Sequence, residues 1–234
     1  MTSLGFHGEN FKIKSHKEMA MENNYQSWLW EKLGEKCVKN LKKNGFDAHF
    51  AATPEDAKTL ILGMVSGLDS FGFGGSDTTR ALGLTEALEA QGKTLHDHWK
   101  TGLSKEEDLE IRLLQGRCDC FFCSANAISV TGEIVNVDGV GNRINAMSFG
   151  TKKVVVVAGM NKVTHDLESA LDRVRDVAGP MRAKSLNMDT PCAKTGVCDD
   201  CNSPQRICRI TAIFHRKPMM TDISVVLVNQ AMGF

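Results

Sequence analysis

The sequence has 234 residues, of which 42% are hydrophobic and 24% are charged, a composition typical of a globular protein with a substantial core. Lys and Arg total 28, as do Asp and Glu, so the formal net charge is zero and we expect no nucleic-acid partner. The apolar run VVVVAGM at residues 154–160 is too short to span a bilayer, and we expect no membrane insertion.

The N-terminal segment, residues 1–45, is predicted to be helical from residue 16 onward, with one apolar face and a stop at Gly45. Residues 1–19 lack the apolar centre of a signal peptide, which predicts a cytoplasmic protein. Because cysteines in that compartment stay mostly reduced, disulfides are disfavoured.

Residues 46–180 alternate between short apolar strands and amphipathic helices, which predicts an α/β domain with a Rossmann-like, mainly parallel sheet. Ser104 and Glu107 have the spacing of a capping box at the start of one helix. The helix at residues 166–177 is expected to end at Gly179-Pro180. Residues 181–234 form a cysteine-rich segment with two closing strands. Ligands on such sheets bind outside the carboxyl ends of the strands.

The first candidate site is GFGGSDTT at residues 72–79, a glycine turn between a strand and a helix. Its backbone N–H groups and the helix N-terminus could bind a phosphate or carboxylate, with Gly74, Gly75 and Ser76 as the ligand-binding residues. The alternative is a tight turn in which Ser76 or Asp77 caps the helix.

The second candidate site is residues 124–146, where polar side chains surround two turns. Arg143 is the candidate clamp for a small anionic ligand, and Glu133 or Asp138 is the candidate acid–base group. The alternative is a hairpin with Gly132-Glu133 in its turn, braced by an Asp138–Arg143 ion pair. The candidate ligand-binding residues in this region are Asn126, Asp138, Gly139, Asn142 and Arg143.

The third candidate site is TPCAKTGVCDDCNSPQRICR at residues 190–209, which contains half of the eight cysteines. Four thiolates with a C-x2-C pair are typical of a zinc or iron–sulfur site, and the spacing does not separate the two. The alternative is a reduced cysteine loop without metal. The candidate metal ligands are Cys192, Cys198, Cys201 and Cys208.

Three further cysteines, Cys118, Cys120 and Cys123, are predicted to be core residues of a buried strand. Strand alternation would place Cys118 and Cys120 on one face and Cys123 on the other. His96 and His98 also share a strand face, but two histidines without a third ligand are a weak indication of metal.

The long motifs at 124–146 and 190–209, with FGTKKVVVVAGMNKV at 149–163 and the closing strands to residue 234, resemble the LUD domain family of lactate-utilisation proteins, in its branch with a C-terminal cysteine motif. The resemblance covers nearly the whole chain and makes residues 46–180 the LUD core. It implies a fold related to the sugar-phosphate isomerase, glucosamine-phosphate deaminase and CoA-transferase group, in which a glycine-serine turn binds phosphate.

The resemblance implies a role as subunit or accessory of a lactate-oxidising system, with a small anionic ligand and iron–sulfur protein partners. The cysteine segment would then hold a cluster that passes electrons or docks a redox partner. One alternative is a stand-alone isomerase, deaminase or acyl-transfer enzyme acting on a phosphorylated or CoA-linked substrate. Another is a non-catalytic interaction module with a structural metal. The oligomeric state stays open, a homo-oligomer included.

Overall fold

The computed structural model describes the backbone of residues 16–234 and the side chains from residue 24 onward. Residues 1–15, which carry most of the segment behind the export-signal prediction, lie outside this part. The main sheet has six strands, every adjacent pair parallel, which confirms the predicted α/β class. In spatial order the strands are β1 (Asp47–Ala51), β10 (Asp222–Val228), β7 (Lys153–Gly159), β4 (Cys120–Cys123), β2 (Ser70–Phe73) and β3 (Thr94–Asp97).

Helices cover both faces of this sheet and bury an apolar cluster on each. One cluster contains Leu41 and Met147, and the other contains Ile61 and Leu88, all essentially inaccessible to solvent. The central strands are therefore buried on both sides and consist of nearly continuous Val, Ile and Phe. The helices are α1 (His16–Lys43), α2 (Pro54–Met64), α3 (Asp77–Ala81), α4 (Leu84–Ala90), α5 (Lys105–Gln115), α6 (Asn142–Ser148), α7 (Leu167–Arg173), α8 (Gly179–Ser185) and α9 (Pro191–Thr195). The predicted capping box is present at the start of α5.

A second, four-stranded sheet carries the loops that face the carboxyl edge of the main sheet. Its order is β8 (Val163–Thr164), β5 (Ala127–Ser129), β6 (Ile134–Asp138) and β9 (Ile210–Phe214). β5 and β6 form the hairpin anticipated for Gly132-Glu133, with Gly132 at a φ of 99°. A second antiparallel pairing joins β6 to β9, which directly follows the cysteine segment.

The prediction that a helix ends at Gly179-Pro180 is wrong. The helix continues from α7 through a π-helical turn, residues 174–178, into α8. In this wider turn the Gly179 N–H bonds to the Val174 carbonyl five residues back. Pro180 is the second residue of α8, directly after the wider turn, so the helix passes the proline at the point where its backbone spacing has changed.

The predicted facing of the strand cysteines is also wrong in part. Cys118 and Cys123 belong to one apolar cluster and Cys120 to the other. The strand begins only at Cys120, so the period of two does not extend back to Cys118. All three are buried, as predicted.

We expect Gly150→Ala to destabilise the fold more than Gly92→Ala does, although both glycines have a positive φ. A Cβ at Gly150 would lie 2.3 Å from the Gly116 carbonyl oxygen, whereas one at Gly92 would meet nothing within 4 Å. The φ constraint costs about 1 kcal/mol at either position, and the overlap should add at least as much again at Gly150. Urea unfolding measures both values, and equal losses would contradict the close backbone approach at residue 150.

Candidate functional site

A cavity of about 390 Å³ lies at the carboxyl edge of the main sheet, where sheets of this type bind ligands. Its wall comes from residues that directly follow β2, β3, β4 and β7, together with the 137–143 loop after β6 and with α8. The structure thus brings together residues from two of the candidate sites identified in the sequence. Those that line the cavity are Gly75, Ser76, Asn126, Asp138, Gly139, Asn142 and Arg143.

Two residues of these two candidate sites do not line this cavity. Gly74 packs against β4, where a Cβ would lie 3.2 Å from the Phe121 ring. Glu133 lies in the β5–β6 turn, and its carboxylate accepts hydrogen bonds from the hydroxyls of Ser129 and Thr131. Burial acts to raise the pKa of Glu133, but the hydrogen bonds from Ser129, Thr131 and its own backbone N–H, with the charge of His215, together lower it. Its position gives Glu133 no access to a ligand in the cavity.

The glycine turn at residues 72–79 contains a helix cap. The Ser76 hydroxyl accepts a hydrogen bond from the Thr79 N–H, as in the alternative interpretation of the turn. The helix that follows, α3, has five residues, too few for a substantial macrodipole. The basic side chains in the cavity wall therefore supply most of the positive charge beside this turn.

Most hydrogen-bond donors of the Arg143 side chain already bond to other residues of the protein. Its Nη2 lies 2.6 Å from the Asp138 carboxylate and also donates to the Val137 carbonyl and the Asn126 side chain. Its Nη1 donates to the Ser124 carbonyl. The Asp138 side chain is 7% exposed and also accepts the N–H of Ile144 at the start of α6. The ion pair anticipated as the alternative is thus present, and it fixes the shape of the cavity wall.

Lys162 is the most unusual side chain in the cavity wall. It follows β7 and is 4% exposed, and its Nζ donates to the hydroxyls of Thr78 and Ser124, both at 3.0 Å. No carboxylate of residues 24–234 lies within ion-pair distance of this amine. Burial, followed by the nearby Arg173 and Arg143 guanidiniums, lowers the pKa of Lys162 to about 7. Such a lysine can switch between amine and ammonium near neutral pH.

Trp99 forms one side of the cavity between two guanidiniums. Arg80 lies 4.2 Å and Arg182 5.2 Å from the indole ring. Arg80 is anchored by the buried Asp97, to which its Nη2 donates at 2.7 Å, while Arg182 bonds to Asp77 at 3.2 Å on the cavity side. This stacking holds the Arg182 guanidinium at the cavity wall and leaves part of it facing the cavity.

A chain of hydrogen bonds determines which ring nitrogen of His98 carries the hydrogen. The chain begins at the guanidinium of Arg112, which can only donate. Arg112 donates to the Asn142 side-chain oxygen, so the Asn142 amide nitrogen donates to the Gln115 oxygen. The Gln115 nitrogen then lies 2.8 Å from Nδ1 of His98, which must be an acceptor. Burial, followed by the charge of Arg112, lowers the pKa of His98 to about 4. A neutral imidazole therefore carries its hydrogen on Nε2.

The side chains around the cavity carry more positive than negative charge. Two side-chain carboxylates line it, Asp77 and Asp138, and each is paired with an arginine of the wall. The remaining cations are Lys162 and Arg112, the latter paired with Asp108 at 2.8 Å. The arrangement suits a ligand with a negative charge and an oxygen that can accept a hydrogen bond.

The four cysteines of the C-terminal segment meet at a second cavity of about 220 Å³. They are partly exposed, whereas the other four cysteines of the chain are buried. Burial raises the pKa of Cys37, Cys118 and Cys123 to about 12 and that of Cys120 well above its usual value, which keeps these thiols protonated. His96 and His98 have no third ligand, because no three His, Cys, Asp or Glu side chains among residues 24–234 converge on a single-ion site.

The sequence model of the LUD domain matches residues 34–228, most of the chain. The chain belongs to the LUD domain family. Among solved structures it is similar to a DUF162 family protein from Deinococcus radiodurans, with 11% identity, a TM-score of 0.49 and coverage of 85% of this chain and 98% of that one. No curated protein matches the chain. In the described residues of this LUD domain protein, no helix has the length and apolar character needed to cross a bilayer.

Several residues of the LUD cavity were not identified from the sequence. The positions of Lys162 and His98 could have been predicted, because each follows a strand and ligands bind at the carboxyl ends of such strands. The position of Arg182 could not, because its place at the cavity depends on the direction that α8 takes after the π-helical turn.

We expect Lys162→Met to stabilise the LUD protein most at pH 7 and below, with a gain that shrinks toward pH 10. Between the folded pKa of about 7 and the ordinary value of 10.5, the unfolded chain binds a proton that the folded chain does not. Wild-type stability therefore rises relative to the variant by up to about 1.4 kcal/mol per pH unit. Urea unfolding at several pH values measures the difference. The exposed Lys36→Met is the control, and a pH-independent difference for Lys162→Met would contradict the buried-amine assignment.

We expect Arg143→Ala to lower the free energy of unfolding by about 3–5 kcal/mol, because it leaves the buried Asp138 carboxylate without its partner. Arg117→Ala removes an exposed arginine at the opposite edge of the sheet and should cost less than about 0.5 kcal/mol. Similar losses in the two variants would show that Arg143 does not brace the cavity.

Proposed function

We propose that this LUD domain protein acts in lactate utilisation by binding a small anionic ligand, a carboxylate or a phosphate-bearing compound, in the cavity at the carboxyl edge of its main sheet. It would do so as a subunit or accessory of a lactate-oxidising system, beside iron–sulfur protein partners. Membership of the family supports the lactate role. The chemistry of the cavity supports the choice of an anion.

The observation that carries the proposal is the buried Lys162 amine, which bonds to hydroxyl groups in a wall whose carboxylates are already paired. A carboxylate or phosphate entering the cavity would favour the ammonium form of this lysine. Binding would thus be accompanied by proton uptake, and it should weaken as pH rises above 7.

The other side chains of the wall have distinct roles in this proposal. Arg182 would bond to the anionic group from the α8 side, because its Asp77 partner occupies only part of its guanidinium. His98, with its hydrogen on Nε2, would donate to a hydroxyl or carbonyl oxygen of the ligand. Asp138 and Arg143 would position the loop and would not react.

A stand-alone enzyme acting on a phosphorylated or CoA-linked substrate is the second candidate. The cavity volume of about 390 Å³ favours it, because pockets for drug-sized ligands begin near 300 Å³ and a three-carbon acid would fill only part of the space. The same cationic groups would then bind a phosphate. The two candidates differ in the ligand they require.

We expect calorimetric titration with lactate, pyruvate, inorganic phosphate and acetyl-CoA to detect binding of at least one compound at pH 7. Arg182→Gln should weaken binding of that compound about tenfold, equal to about 1.4 kcal/mol, because it removes one charge-assisted bond. Arg117→Gln is the matched control and should bind like the wild type. Binding of lactate or pyruvate favours the lactate role, and binding of phosphate or acetyl-CoA alone favours the second candidate. No binding, or an equal affinity in Arg182→Gln, would contradict the assigned cavity.

A further inference from the structure

The second cavity gathers the four cysteines of the C-terminal segment, although they come from different local structures. Cys192 lies in α9, Cys198 and Cys201 in the irregular chain that follows, and Cys208 just before β9. The opposite wall belongs to the long helix, at its π-helical turn and the start of α8. π-helical turns occur often at functional sites, and here the turn lets the helix pass Pro180 while facing the thiols.

The irregular chain that carries the cysteines is held in place by side-chain bonds to its backbone. Arg206 donates to the carbonyls of Cys201 and Cys208, both at 2.8 Å, and pairs with Asp200 at 2.7 Å. Arg209 donates to the Pro204 carbonyl at 2.8 Å. This part of the chain is therefore built to present its cysteines in a defined arrangement rather than as a mobile loop.

The size of the cavity indicates what the four thiols can hold. Zinc bonds sulfur at about 2.3 Å and needs its four ligands at one point. No three ligand side chains among residues 24–234 converge in this way. The volume of about 220 Å³ is several times the roughly 30 Å³ that one water molecule occupies in the liquid. A group of several atoms held by the four thiolates would fit this space better than a single ion.

The charges around the thiols also suit such a group. A cluster bound by four thiolates carries net negative charge. Arg175 and Arg206 line the cavity, and the Asp200 carboxylate is already paired with Arg206. Partial exposure of the four cysteines leaves them accessible to iron and sulfide, in contrast to the four buried thiols.

We propose that Cys192, Cys198, Cys201 and Cys208 bind an iron–sulfur cluster in this second cavity. Such a cluster supplies one-electron transfer when bound. The inference goes beyond the ligand proposed for the first cavity and does not depend on it. The two cavities are nevertheless adjacent, since Val137 and Ile207 line both.

The test is anaerobic reconstitution of the full chain with ferrous iron and sulfide, followed by iron and acid-labile sulfide analysis and an absorption spectrum. We expect equimolar iron and sulfide in the wild type, with broad absorption near 400 nm that dithionite bleaches. Cys201→Ser and Cys208→Ser should each lose most of the bound iron and the absorption. Cys37→Ala, which removes a buried thiol of α1, should load like the wild type.

Circular dichroism of the metal-free variants establishes that each has folded. Zinc bound by the same cysteines without sulfide, or equal iron loading in the wild type and both serine variants, would overturn the proposal, as would a folded wild type that binds no iron. Calorimetry on Cys201→Ser tests the first cavity separately. If Cys201→Ser binds the anion but loads no iron, both proposals are upheld. If neither the wild type nor the variant binds an anion, only the proposed function is contradicted.

Discussion

The ion pair between Asp138 and Arg143 is the interaction on which the arrangement of both cavities depends. Arg143 bonds to the carbonyl of Ser124 after β4 and to the side chain of Asn126 at the start of the second sheet. Asp138 accepts the first turn of α6 through its side chain and the N–H of Arg209 through its carbonyl, at 3.0 Å. The buried pair thus connects the main sheet, the second sheet and α6, and the backbone of Asp138 adds the link to the cysteine segment. Removing either partner would leave an uncompensated charge at the point where these parts meet.

The first cavity concentrates groups that a purely structural core would avoid. Three features of its wall cost desolvation free energy. In the described chain Lys162 bonds only to hydroxyls, His98 is a neutral imidazole bonded to an amide, and two guanidiniums lie over the Trp99 ring. Natural folds retain such costs mainly at functional sites, where a perturbed group has a task. The buried thiols of the core show the opposite case, because their raised pKa makes them inert.

Much of the fold was predictable because it depends on local pattern. Alternating apolar strands and helices predicted the parallel sheet, and the Gly132 turn predicted the hairpin. The carboxyl-end rule indicated the edge of the sheet at which the cavity lies, and the motifs at 72–79 and 124–146 supplied seven candidate residues that line it. The sequence did not indicate that Glu133 would lie outside the cavity or that Arg182 would enter it, because both depend on the packing of distant elements. The predicted helix end at Gly179-Pro180 was wrong for a different reason. Proline normally interrupts a helix, but here a π-helical turn precedes it, and such a turn has no distinct sequence signal.

The position of β10 constrains how this chain can assemble during synthesis. β10 is the last strand in chain order, yet it lies between β1 and β7 and pairs with both along its length. Among residues 16–234 β1 has no other neighbour in the sheet, so this strand cannot join it until residues 52–221 have been made and β10 has emerged from the ribosome. Until then the apolar face of α1 and the edge of β7 lack their partners. Such non-local closure makes folding slow and leaves a long interval in which a nascent chain would benefit from a chaperone.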